Sequence, residues 1–270
     1  MVVLYSRIFN DIFHCCEPYV MHDFLNVRGN SDNKYKFCLF TCKKIFDETI
    51  KVLDKSKYNG EIVLQDNIVF DLNNIFSSNE IIKSSTAYLK KKIVLNNGII
   101  KLANAREVEK RERIILIPID GAFSFLCGNN NFSTVIILQE EVDGKFATKH
   151  ISIFNPVRKD ICLFDAEDGC KYNEKKITND AIYDSHENNV IFINDGSSQV
   201  NFDLTKLSQI STNLFFSKSI FSSLVDLMTT GTNMCVYKIN KDNLEFVEFI
   251  CKTVLFKTRK VGEHLIIEKR

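Results

Sequence analysis

Two stretches of this chain say nearly the same thing: Asn67-Ile-Val-Phe-Asp-Leu-Asn-Asn-Ile-Phe76 and Gln199-Val-Asn-Phe-Asp-Leu-Thr-Lys-Leu-Ser-Gln-Ile210. Each reads as a short strand running through Phe-Asp-Leu into an amphipathic helix, with Leu72, Ile75 and Phe76 inward in the first copy and Leu204, Leu207 and Ile210 in the second. Almost half of the 270 residues separate the copies. Solenoid repeats recur every ~20–50 residues. A spacing this long predicts one structural unit written twice.

The length agrees, since roughly 100–200 residues per domain leaves room for two. A chain that is 45% hydrophobic and 26% charged has material for a core and excludes disorder. No apolar run approaches the roughly 18 residues of a membrane span, and Met1–Leu4 lacks the flanks of a signal peptide, which predicts a protein with no membrane attachment. Nine cysteines invite a metal or disulfide reading through Cys15-Cys16 and Cys38-x3-Cys42, with His14 and His22 nearby. No second cluster completes a ligand set, so the expectation is reduced core thiols and no metal.

Taken in order, Met1–Leu4 reads as a strand, and Ser6 as the cap of a helix burying Ile8, Phe9, Ile12, Phe13 and Cys16 up to Pro18. Met21–Val27 and Tyr35–Phe40 read as strands about a turn-rich Arg28–Asn33, while Lys43–Asp54 suits a helix or a strand and loop. Lys92–Leu95 and Ile99–Leu102 flank Asn96-Asn-Gly98, a strong hairpin signal, and Ile114–Ile119 is a β-branched strand. Asp120–Asn131, with two glycines and three consecutive asparagines, is the natural join between halves. After it come a strand at Phe132–Leu138, a turn at Asp143-Gly144 and a predicted helix at Lys145–Phe154. Further short strands are expected at Asp160–Asp165, Cys170–Tyr172, Ala181–Tyr183 and Val190–Asn194. Ile220–Thr229, Met234–Asn240 and Leu244–Leu255 complete the strand set before a basic tail. Each half therefore runs strand, helix, strands, helix, strands, which is α+β.

Candidate chemistry is sparse. Glu107–Arg113 alternates acid and base and reads as a solvated hairpin tip rather than a nucleic-acid patch. Asp120-Gly and Asp143-Gly sit where turns favour them for backbone reasons. The five histidines are scattered, and neither a Gly-x-Ser-x-Gly elbow nor a phosphate-cradling Gly-x4-Gly-Lys motif occurs. The expectation is a protein without catalytic residues or cofactor.

Several phrases carry a resemblance. Phe132-Ser-Thr-Val-Ile-Ile137 followed by Asp143-Gly-Lys-Phe-Ala147, the hairpin Asp165-Ala-Glu-Asp-Gly-Cys-Lys-Tyr172, the closing Val236-Tyr-Lys-Ile239 and Leu244-Glu-Phe-Val247, and Asn104-Ala-Arg106 leading to Ile114–Ile119 fall in a shared order. Together they resemble the eukaryotic DNA sliding clamp, proliferating cell nuclear antigen, and its checkpoint relatives. The resemblance implies an α+β fold of two similar domains, at 1–119 and 132–256, joined by an interdomain loop at 120–131 and followed by a basic tail at 257–270. Helices would line one concave face, with antiparallel sheets outside.

It further implies a non-enzymatic ring, a homo-trimer or hetero-trimer, that encircles double-stranded DNA without reading sequence and tethers a DNA polymerase and other clamp-binding proteins, in the nucleus or at a viral replication site. The matching DNA-facing positions are Arg7, Asn10, His14, Asn73, Asn74, Lys145, Lys149, His150, Thr205, Lys206 and Gln209. The matching partner groove holds Phe123, Phe125, Leu126, Phe249, Val254 and Leu255. Alternative readings of the same pattern are a checkpoint-type subunit of a hetero-ring and a viral or parasite structural protein that keeps the fold without encircling DNA; a nuclease or other enzyme is a further one.

Overall fold

The computed structural model describes residues 2–29, 34–58, 60–64, 92–96, 99–103, 112–177, 189–193, 213–217, 219–230, 232–239 and 241–269. The chain begins with two long helices, α1 (Val2–Gly29) and α2 (Lys34–Lys55). Both owe their form to apolar residues at helical spacing: Ile8, Phe9, Ile12, Phe13, Cys16, Val20, Phe24 and Val27 are buried along one side of α1, and Cys38, Cys42, Ile45, Phe46, Ile50 and Leu53 along α2. The strands expected at Met1–Leu4, Met21–Val27 and Tyr35–Phe40 are therefore corrected to helix. Pro18 does not end α1; it sits inside it on the exposed side, and the buried stripe runs on through Val20, Phe24 and Val27.

Nine strands form the first sheet: β1 (Glu61–Leu64), β2 (Lys92–Asn96), β3 (Ile99–Ala103), β4 (Glu112–Asp120), β5 (Ser133–Val142), β6 (Lys145–Asn155), β7 (Asp160–Asp165), β8 (Gly169–Tyr172) and β9 (Lys175–Ile177). Their order is β2-β3-β1-β4-β5-β6-β7-β8-β9, with β1 parallel to β4 and every other neighbour antiparallel. A short helix α3 (Ala122–Leu126) follows β4. The second sheet holds β10 (Asn189–Ile193), β11 (Asn213–Ser217), β12 (Thr232–Lys238), β13 (Lys257–Val261) and β14 (His264–Glu268) in the order β11-β10-β12-β14-β13. Strands β11, β10 and β12 are parallel to one another. Helices α4 (Ile220–Thr229) and α5 (Lys241–Thr253) complete the described elements.

The first sheet is buried on both faces. Ile62, Leu64, Ile114, Leu116, Ile136, Leu138 and Phe154 point into a core shared with α1 and α2. The intervening Val63, Ile115, Ile117, Val135, Ile137, Ile151 and Ile153 point into a second core with α4, α5, β12 and β14. Strand alternation sends neighbours to opposite faces, so a sheet covered twice needs an unbroken apolar run such as Ile114-Ile-Leu-Ile117. The layers are thus helices, sheet, helices, sheet.

This arrangement overturns the expected two-domain clamp fold, and three segments give the physical reason. Lys145–Phe154 is strand: Ile151 and Ile153 face one core, His150, Ser152 and Phe154 the other, and the helix-like pattern came from an exposed, partly polar N-terminal half that overhangs the core. Ile220–Thr229, read as a strand for its dense apolar residues, forms α4, which lies between the sheets and is buried on nearly every side; Leu244–Leu255, read as a strand likewise, forms most of α5, which buries Phe246, Val247, Ile250 and Cys251 on one side and exposes Glu245, Glu248 and Lys252 on the other. The basic tail at Lys257–Lys260 is edge strand β13. The strands expected on either side of Asn96-Asn-Gly98 pair antiparallel, the turn residues 97 and 98 lying outside the described residues, and the hairpin at Asp143-Gly144 forms with both turn residues at positive φ. The Phe-Asp-Leu repeat lies outside the described residues.

Polar links tie the layers. Arg158 places Nε 2.6 Å from Asp160 Oδ2 on β7 and Nη1 2.5 Å from Asp226 Oδ1 on α4, while the Tyr172 hydroxyl donates to Asp160 at 2.6 Å. Between α1 and β6, Phe13 stacks on Phe154 with ring centroids 4.8 Å apart. Phe13 is fully buried. Replacing it with Ala is expected to destabilise the protein by about 3–5 kcal/mol through lost burial and the cavity left under α1, measured as a shift of the urea midpoint at unchanged m-value.

Candidate functional site

The place to look for a site in a sheet with parallel strands is outside their carboxyl ends. Here two such ends meet. β4 closes on Asp120, β11 closes on Ser217, and the first turn of α4 lies between them. Asp120 is 2% exposed, and its Oδ2 accepts from the Ser219 hydroxyl at 2.6 Å and from the Phe221 backbone N–H at 2.9 Å. Ser219 is the N-cap of α4 and accepts in turn from the Ser222 N–H at 3.1 Å. A carboxylate here neutralises two orphan donors and faces the positive end of the helix dipole.

Around this pair the hydroxyls are interlinked. Ser217 Oγ donates to the Ser219 carbonyl at 3.0 Å and accepts from the Ser219 N–H at 3.1 Å. The Ser223 hydroxyl lies 2.7 Å from Ser217 Oγ and 2.6 Å from the Ser219 carbonyl. Asn131 donates from Nδ2 to Ser217 Oγ at 3.2 Å, and its own Oδ1 is buried with no hydrogen-bond partner among the described residues. Gly121 makes the approach possible: at φ +81° it turns the chain after β4, and a Cβ there would stand 2.6 Å from Ser219 Cβ and 2.9 Å from the Asn131 carbonyl oxygen.

A second array of catalytic residue types lies on the sheet face toward α1. His150 Nδ1 is 3.2 Å from Asp165 Oδ2 and Nε2 is 2.8 Å from Ser152 Oγ. Asp165 Oδ1 accepts from the Glu167 and Asp168 N–H groups at 2.9 and 3.0 Å. The connectivity is that of nucleophile, base and orienting carboxylate. Its surroundings are not: Ser152 is 0% and His150 2% exposed, and Phe9 of α1 covers the imidazole at 5.3 Å between ring centroids. Without access the array serves packing, as a satisfied polar island beneath α1.

The residues expected to face DNA do not form one surface. Arg7 and His14 are exposed on α1 and Asn10 is half-buried there; Lys145 is exposed on β6, and Lys149 pairs with Glu140 at 3.5 Å. His150 is in the core, as just described. Asn73, Asn74, Thr205, Lys206 and Gln209 lie outside the described residues. Of the expected partner groove, Phe125 is buried against Phe24 and Phe132, Leu126 and Phe249 are half-buried and Val254 is buried, leaving Phe123, 61% exposed, and Leu255 at the surface. Sequence reasoning treated Asp120 as a turn residue and passed over Asn131, Ser217, Ser219 and Ser223. One signal was available: Ser219 stands directly before an apolar run, as an N-cap does.

Comparison with protein-family models and with curated sequences finds no match. Solved structures do match. The extragenic suppressor protein SuhB of Bartonella henselae superposes with a TM-score of 0.63 at 13% identity, covering 98% of this chain and 94% of its own. Inositol monophosphatase II of Staphylococcus aureus gives 0.61 at 12% identity over 100% and 92%, and the inositol monophosphatase of Thermotoga maritima 0.61 at 14% over 98% and 92%. The fold is that of the inositol monophosphatases. The sliding-clamp expectation is overturned by this likeness, and with it the ring, the double-stranded DNA and the polymerase as partners, and the expectation of a non-enzyme, since several of the proteins that share the fold are phosphatases by name. Most of the clamp phrases were hairpins and β-branched strands, which any antiparallel sheet supplies; Leu244–Val247 lies in helix α5, and Asn104–Arg106 lies outside the described residues.

Phosphate-ester chemistry commonly draws on a divalent cation, which takes several oxygen ligands. Among the described residues no group of three or more His, Cys, Asp or Glu is placed to hold one. The described residues do not fit such an ion.

Asp165 carries a pH consequence. Burial pushes its carboxyl up, but the bonds from His150 and from the Asp168 and Glu167 N–H groups outweigh burial and hold it at about 2. A depressed carboxyl contributes stability that is present above its unfolded value of about 3.9 and lost as pH falls toward about 2. Thermal unfolding between pH 5 and pH 2 is expected to show a lower and flatter midpoint profile for Asp165→Asn than for the natural protein.

Proposed function

We propose that this protein binds and hydrolyses the phosphate ester of a small hydroxyl-bearing molecule at the junction of β4, β11 and α4. The observation that carries the reading is the likeness of the whole chain, 98–100% of it, to inositol monophosphatases at TM-scores near 0.6. Two features of the junction support it. It lies at the carboxyl ends of parallel strands. It also holds an unpartnered buried acceptor, Asn131 Oδ1, of the kind that takes a substrate hydroxyl. The neighbours suggest the range of esters: inositol monophosphate by name, and 2′-AMP for a staphylococcal protein described with that nucleotide bound.

In this reading Asn131 orients the ester through a hydroxyl, and Gly121 lets the chain pass close enough to Ser219 to keep the junction closed on its inner side. The test is a panel of inositol, sugar and nucleoside monophosphates, scored for saturable binding by calorimetry and for release of inorganic phosphate. At least one member is expected to bind and be cleaved, and Asn131→Leu to weaken its binding by about tenfold, the loss of one hydrogen bond of roughly 1.4 kcal/mol. Binding without release would overturn hydrolysis; no binding by any member would overturn the whole reading.

A further inference from the structure

We infer that Asp120 is a positioning residue, which fixes the first turn of α4 against the end of β4, and that its carboxylate does not ligate a divalent cation. The inference takes from the proposed function only that the junction is the site. A carboxylate that serves a hard cation must present a free oxygen in company with others. At Asp120 the geometry does the reverse. Oδ2 already receives a hydroxyl at 2.6 Å and a backbone N–H at 2.9 Å, both from the start of α4, and Asp120 makes a further interaction besides. The donors are themselves held: Ser219 caps α4 through the Ser222 N–H, and Ser217 holds both the N–H and the carbonyl of Ser219.

Among the described residues the companions an ion would need are also of the wrong type. Ile117 precedes Asp120 by three residues on β4 and faces the inter-sheet core, and the group that closes β11 opposite is the hydroxyl of Ser217. Neutral hydroxyls and amides surround the carboxylate: Ser217, Ser219, Ser223 and Asn131. The charge on Asp120 is balanced by the α4 dipole and by hydrogen bonds. In such a site a cation that took Oδ2 would have to displace the cap of α4, at the cost of two buried hydrogen bonds.

The experiment uses the full chain stripped with chelator and titrated with Mn²⁺ alone, with no ester present, so its outcome is independent of whether any ester binds. Calorimetry on the natural protein and on Asp120→Asn, which keeps an acceptor oxygen, is expected to show no Mn²⁺ binding that depends on Asp120. Selective Mn²⁺ broadening of the amide signals of Gly121, Ser219 and Phe221 in the natural protein is likewise expected to be absent; this arm stands if the variant fails to fold. In Asp120→Ala the Phe221 amide should exchange with solvent about tenfold faster, as expected for a lost hydrogen bond, and Asp120→Asn should restore slow exchange. Stoichiometric Mn²⁺ binding abolished by Asp120→Asn, or selective broadening of those three amides, would overturn the inference, as would unchanged Phe221 exchange in Asp120→Ala.

Discussion

Burial of one sheet on both faces is the constraint on which this molecule depends. The nine-stranded sheet has α1 and α2 on one side and α4 and α5 on the other, and the side chains of β1, β4, β5 and β6 alternate between two cores. Neither helical layer has a complete core without the sheet, and the sheet would expose a row of isoleucines without either layer. Polar groups that enter these cores come already paired: His150 with Asp165 and Ser152 under α1, Arg158 with Asp160 and Asp226 toward α4. Left unpaired at such depth, each would cost about 1–3 kcal/mol or more.

The junction of β4, β11 and α4 follows from that layering. The helix between the sheets must begin somewhere, and its first-turn N–H groups are buried there and need acceptors from the protein. Asp120 and Ser219 supply the acceptors, one from each side of the layer boundary, while Gly121 provides the turn that lets the two approach. One arrangement therefore seals a helix end and places a cluster of hydroxyls and an amide at the carboxyl ends of parallel strands. The proposed site and the seal of α4 draw on the same few atoms, so a substitution at Asp120 or Ser219 touches both.

How far the sequence was legible depended on whether a segment touched one core or two. The α1 stripe Ile8, Phe9, Ile12, Phe13 and Cys16 was read correctly because only one side of the helix is buried. The antiparallel pairing of β2 with β3 and the hairpin at Asp143-Gly144 were legible because turn chemistry acts locally. Ile220–Thr229 was misread because a helix buried almost all round loses the period that distinguishes it from a strand, whereas Leu244–Leu255 carries a one-sided helical stripe, Phe246, Val247, Ile250, Cys251 and Val254, that its apolar density masked. The junction residues were hidden for another reason: Asp120, Asn131, Ser217 and Ser219 are ordinary turn and cap residues until the fold sets them side by side, some 100 residues apart in the chain for Asp120 and Ser219.

By itself the sequence determined that the chain builds a large apolar core, where its tight turns fall and that β4 and β5 are strands, since composition, turn chemistry and β-branched runs act over a few residues. Tertiary structure alone decided which apolar runs became helices, which strands became neighbours and hence which family's fold this is. Those choices turn on what each segment packs against, and distant segments with equal hydrophobicity are indistinguishable until they meet.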